Sequence, residues 1–118
     1  MYNDFQTINN NKTNRLKPIK YKLPTGKVVA LYSIGVLAQE ISRSTQVIKK
    51  WELSGALPKT PFKTRGKFRL YTQDQINIIV ECAKTFNIRN GVSIVASGFT
   101  EEIKNKYNTL FRYYGFSV

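Results

Sequence analysis

The side chains with chemistry to offer in this chain are cations. In the stretch RSTQVIKK, Arg43 to Lys50, an arginine and two lysines stand with two hydroxyls and an amide. In KTRGKFR, Lys63 to Arg69, four more cations surround a glycine. Ammonium and guanidinium groups bind phosphate, a glutamine amide pairs with adenine, and hydroxyls reach phosphate or base, so both stretches suit a nucleic acid. Other chemistry is thin. Histidine is absent and Cys82 is alone, which removes disulfide frameworks, Cys/His zinc sites, Ser/His/Asp triads and histidine acid-base work. Glu101-Glu102 reads as a helix start rather than a catalytic pair. The expectation is therefore no enzyme, no cofactor and no metal.

Charge sharpens this reading. The formal net charge of the 118 residues is +12. From Asn10 to Leu70 there are fourteen Lys/Arg against Glu40 and Glu52, and from Tyr71 onward five against four. A polarised cationic half fits a polyanion, because neutralising phosphates releases condensed counterions. No basic amphipathic helix carries the excess, and no apolar run approaches the roughly 20 residues that span a bilayer, so a membrane partner is not expected. With 42% hydrophobic and 13% aromatic residues the chain should fold, and its length suits one modest core.

The elements that must position these cations read as follows. Residues 1–17, rich in Asn, Thr and Lys, form a flexible basic arm with Lys12, Arg15 and Lys17. A hairpin follows around Pro24-Thr25-Gly26, with strands at Ile19 to Leu23 and Lys27 to Leu31. Ser33 caps a first helix to Ile41, with Ile34, Leu37, Ala38 and Ile41 on one face. Ser44 caps a second that ends at Gly55, with Val47, Ile48 and Trp51 inward, and the close junction suggests a helix-turn-helix. A basic hairpin spans Lys59 to Tyr71, turning at Arg65-Gly66. Thr72 and Gln75 form a capping box for a third helix carrying Ile76, Ile79, Val80, Ala83 and Phe86, with Cys82 as a small buried hydrophobe beside them. Asn87 to Phe99 is irregular, and Thr100 caps a last helix whose Ile103, Tyr107, Leu110, Phe111 and Tyr114 share a side.

In a helix-turn-helix the second helix enters the major groove and its N-terminal residues face base edges. With Val47, Ile48 and Trp51 on the core side, Ser44, Thr45, Gln46, Lys49 and Lys50 remain for DNA, with Arg43 just before them. Lys63, Arg65, Lys67 and Arg69 form the second contact, with Arg65 at the turn suited to phosphates or a narrow minor groove. Trp51 reads as a core anchor rather than a stacking platform. Glu52, one of two acids in the basic half, is expected to pair with an arginine such as Arg69.

The order of YSIG at Tyr32 to Gly35, Leu37-Ala38, VIKKWE at Val47 to Glu52, GALP at Gly55 to Pro58 and RLY at Arg69 to Tyr71 resembles the winged helix-turn-helix of the MerR family and its phage-encoded relatives. The resemblance covers about residues 32 to 86. It implies a recognition helix from Ser44 to Ser54 and a wing from Lys59 to Tyr71. By position it places Lys49 where the family has a DNA-contacting arginine and Arg69 at the arginine near the wing's end. Ser42 stands where a turn glycine is usual, and the family's long dimerising helix is missing. The module also resembles phage excisionases and small terminase subunits.

The resulting expectation is a mainly α winged helix-turn-helix protein with short β-hairpins and a short C-terminal helix. Its parts are the arm at 1–17, a DNA-binding domain at 18–86, and a linker with an amphipathic helix at 87–118. It binds double-stranded DNA, as a cytoplasmic transcription regulator in a bacterium or phage-infected cell, or as an excisionase-like or terminase-like architectural protein. A different class stays open, an interaction module or homodimer using the aromatic C-terminal helix.

Overall fold

The computed structural model describes residues 18–86 and 98–116. Strands β1 (Ile19–Lys22) and β2 (Val28–Ser33) pair antiparallel. Their turn is closed by the N–H of Leu23 donating to Lys27 O at 2.8 Å and that of Gly26 donating to Leu23 O at 2.8 Å. Helix α1 (Ile34–Ile41) starts where β2 stops, and Ser42 ends it in the left-handed region at φ 56°. Helix α2 (Thr45–Ser54) follows at once. Its cap is Ser44, whose Oγ accepts from the Val47 N–H at 3.3 Å, and Gly55 closes it at φ 85°. Then come β3 (Phe62–Lys63), β4 (Arg69–Thr72), α3 (Gln73–Thr85) and α4 (Phe99–Tyr113).

The capping box expected at Thr72 and Gln75 is present. The Gln75 N–H donates to Thr72 Oγ1 at 3.1 Å and the Thr72 N–H to Gln75 Oε1 at 2.9 Å. Gln75 also donates through Nε2 to Thr60 Oγ1, and that threonine donates to the Leu70 carbonyl at 2.6 Å. One buried amide thus joins the start of α3 to the strand before it.

The expectation of a mainly α winged helix-turn-helix is overturned. The described residues form a small α/β protein, 52% helix and 18% strand, with four helices and a curled four-stranded antiparallel sheet. The strand order is β1-β2-β4-β3, because β2 continues to Ser33 and pairs with β4 through Leu31↔Thr72, Tyr32↔Tyr71 and Ser33↔Leu70. The two hairpins are therefore halves of one sheet. Local patterning shows each hairpin, but the pairing that joins them lies between residues some forty positions apart.

The sheet divides the interior. By strand alternation Tyr32 and Tyr71 face one way, into a cluster with Leu37, Ile48, Leu57, Ile76, Ile79, Phe99, Ile103 and Tyr107. Leu31 and Leu70 face the other way, packing with Leu23, Phe62 and Tyr114. Burial of these side chains is the main stabilising contribution, about 1.5 to 3 kcal/mol for each large apolar group.

The last helix belongs to this core, and its start differs from the expected one. Gly98 is the cap position, at φ 92°. Phe99 is helical and buried, while the Thr100 hydroxyl, instead of capping, donates to the Ala56 carbonyl at 2.5 Å. A buried carbonyl in the loop after α2 needs that donor more than the helix end does. Beyond the helix, Gly115 at φ 94° passes so close to the first turn that a Cβ there would lie 3.1 Å from Pro24 Cβ and 3.2 Å from the Thr25 nitrogen. The expected arm at 1–17, and residues 87–97 of the expected irregular connection, lie outside the described residues.

Candidate nucleic-acid interface

Helix α2 is built with one committed side. Ile48 and Glu52 are buried, and Val47 and Trp51 are half-buried. The Trp51 ring meets Phe99 edge-on at 5.9 Å between centroids, which is the anchoring position expected of it. The other side carries Gln46, Lys49, Lys50 and Leu53, all exposed, with Leu53 at 76%. Ser44 is exposed and Thr45 half-buried at the N-terminal end, and Arg43 is half-buried with Nη1 donating to the Ser42 carbonyl at 3.2 Å.

On the inner side Glu52 is 2% exposed. Its Oε1 accepts from Arg69 Nε at 2.6 Å and its Oε2 from the Tyr71 hydroxyl at 2.7 Å. A buried carboxylate is costly unless paired and hydrogen-bonded, and here it is both. Burial first, then the bond to Glu52, raises the Tyr71 phenol far above its usual value, so it stays a donor. The pairing of Glu52 with Arg69 was foreseen from the scarcity of acids. Tyr71 was not, although its period-two relation to Arg69 places both on one face of β4.

This clamp fixes the base of the second hairpin against α2. Lys63 is the direct partner of Arg69 in the β3–β4 ladder, so its side chain stands on the same face of the sheet, the face turned towards α2. At the tip the Thr64 N–H donates to Phe68 O at 3.0 Å and the Lys67 N–H to Thr64 O at 2.9 Å. The turn sits at Arg65-Gly66 as expected. The left-handed residue, however, is Lys67, at φ 65°, not the glycine. Lys63, Arg65 and Lys67 are exposed. Arg69, 24% exposed, already has a carboxylate.

Among the described residues Lys49, Lys50, Lys63, Arg65 and Lys67 have no acidic partner. The structure thus ties the two cationic elements together through Glu52, Arg69 and Tyr71, and leaves their outer charges unmatched. Ammonium and guanidinium groups left without a carboxylate are groups that bind phosphate. It offers no metal site, since no group of three or more His, Cys, Asp or Glu side chains converges among the described residues. Burial raises the Cys82 thiol above its usual value, in keeping with a core role.

The aromatic C-terminal helix is mostly occupied. Tyr107 and Tyr114 are buried and Phe111 is half-buried. The Tyr114 hydroxyl lies 2.8 Å from both Thr72 Oγ1 and Asp74 Oδ2, and burial raises its pKa well above the usual range. What α4 leaves outside is a shallow groove of Asn105, Lys106, Thr109, Leu110 and Tyr113 beside Ile78 of α3. No helix among the described residues is long and apolar enough to cross a membrane. Compared with protein-family models, curated proteins and solved structures, the chain matches none.

Proposed function

We propose that this protein binds double-stranded DNA through the outward side of α2 and the β3–β4 hairpin. The observation that carries the reading is the set of five exposed, acid-free cations on two elements locked to each other by a buried clamp. In this reading Gln46, Lys49 and Lys50 meet the major groove, and Lys63, Arg65 and Lys67 run along phosphates. Arg69 positions the hairpin and contributes little charge of its own. Gene regulation is the role we attach to the binding, and an architectural role of the excisionase or small-terminase kind is distinguished by bent DNA.

The test is selection of bound duplexes from a random pool, followed by anisotropy titrations at several salt concentrations. About five phosphate contacts give a slope of log affinity against log salt near −4 to −5. No binding, or a slope near zero, rejects the proposal. A second reading, a homodimer formed through α4, is favoured by the groove that Leu110 and Tyr113 line with Ile78. Sedimentation of the whole chain with and without a Leu110→Glu change tests it.

A further inference from the structure

The most exposed aromatic ring among the described residues sits within the cationic hairpin. Phe68 is 72% exposed and belongs to neither apolar cluster. Its backbone is held at both ends, since its N–H donates to Thr64 Oγ1 at 3.1 Å and its carbonyl accepts from the Thr64 N–H at 3.0 Å. The ring rests over Gly66, where a Cβ would come within 3.0 Å of Phe68 Cε2. A tight turn thus presents an aromatic ring to the outside, with Lys67 and Arg69 on either side of it in the sequence and Arg65 at the same turn.

Single exposed hydrophobics are common and ordinarily need no explanation. This one differs in its surroundings. Cations bring a polyanion to the hairpin, and the apolar surface that lies between phosphates on a nucleic acid is the stacked face of its bases. An apolar side chain pushed between base pairs from the minor groove unstacks the step and kinks the duplex.

We infer that Phe68 is such a wedge: its ring enters a base step of the duplex while Arg65 and Lys67 hold the flanking phosphates. The inference rests on the DNA-binding reading above and adds what that reading lacks, a deformation of the DNA and an apolar contact. The step it prefers is the most easily unstacked, a pyrimidine–purine step such as TA.

The experiment uses the full chain on a selected duplex carrying dyes at its ends and 2-aminopurine at successive positions. Binding should brighten the 2-aminopurine at one step and raise energy transfer between the ends. Phe68→Ala should abolish both signals and weaken binding roughly tenfold, with an unchanged salt slope, because no phosphate contact is lost. Phe68→Leu should keep most of the kink. Lys67→Ala should instead lower the slope by about one. The residue is exposed, so both Phe68 variants should melt like the parent. Equal affinity, unbent DNA and dark 2-aminopurine throughout would dismiss the wedge and leave DNA binding standing. Preference for single strands would replace the wedge by open stacking, and failure to bind any duplex at low salt would remove both proposals.

Discussion

Helices α2 and α4 are both amphipathic and both lie on the same core, yet they manage charge in opposite ways. Along α4, Glu101 and Glu102 stand at the positive end of the helix dipole and Arg112 near the negative end, with Lys106 3.7 Å from Glu102. One lysine of the helix is thus answered by a glutamate of the same helix, at the surface. In α2 the acid faces inward, where Arg69 and Tyr71 consume it, and the two lysines face outward with nothing to answer them. The same net charge of +1 therefore leaves an ion pair on the surface in one place and buries the only acid in the other. What decides between them is where the glutamate points.

That contrast can be broken most severely from inside. Glu52→Ala leaves the Arg69 guanidinium and the Tyr71 hydroxyl without their acceptor. Full burial of both partners would put the loss at 3 to 5 kcal/mol, and because Arg69 reaches some water about 2 to 3 kcal/mol is expected, read as a lowered denaturation midpoint. Glu52→Gln, which keeps the shape, should cost less. A Glu102→Ala change on α4 that cost as much as Glu52→Ala would erase the distinction between the helices.

Next in size is the effect on binding. Lys49→Ala should weaken duplex affinity about tenfold, roughly 1.4 kcal/mol, and lower the salt slope by about one. Lys104→Ala on α4 and Lys84→Ala on α3 should stay within about twofold, since neither belongs to the proposed surface. Equal losses at all three positions would mean that net charge alone matters and that α2 has no special place.

Smaller still is a change of opposite sign. Ser42 and Lys67 occupy left-handed backbone that glycine enters without strain. Ser42→Gly, in the connection just before α2, should raise stability by about 0.5 to 1 kcal/mol. Lys67→Gly should do the same for the hairpin while removing a cation, so stability and affinity should move in opposite directions in a single variant. The smallest effect belongs to Lys106→Ala, whose exposed pair with Glu102 contributes at most about 0.5 kcal/mol, and less in salt.

Both helices also share an alkaline limit. Tyr71, Tyr107 and Tyr114 are raised above the usual 10.0, chiefly by burial. Below that value they are neutral whether the chain is folded or not, and their contribution is fully present. Above it the unfolded chain releases protons that the folded one retains, so stability falls as pH rises past 10. Tyrosinate absorbance should appear together with unfolding rather than ahead of it for these three.

What could be read from the sequence was what is decided locally. Ser44, Gly55 and the Thr72/Gln75 box are signals spanning three or four residues, and each marks the element it announced. The scarcity of acids was enough to pair Glu52 with an arginine. The β2–β4 ladder was not legible, because it joins Leu31 to Thr72 through two short segments, each of which ends in a helix cap. Read without that ladder, the same strands become separate hairpins and the protein becomes mainly α. Thr100 misled for a related reason: its hydroxyl serves the distant Ala56 carbonyl, a partner that no nearby residue foretells. In the candidate site Lys49 and Lys50 stood where helix periodicity put them, whereas the exposure of Phe68 depends on a turn whose left-handed residue is a lysine.

The hydroxyl of Tyr114, seated against Thr72 and Asp74, carries a consequence for biosynthesis. A nascent chain that has emerged only as far as α3 has neither that seat filled nor Phe99, Ile103 and Tyr107 to complete the interior. The interior that supports the lysine-bearing helix, with Phe99 against Trp51, is therefore finished only when the segment up to residue 114 has joined it.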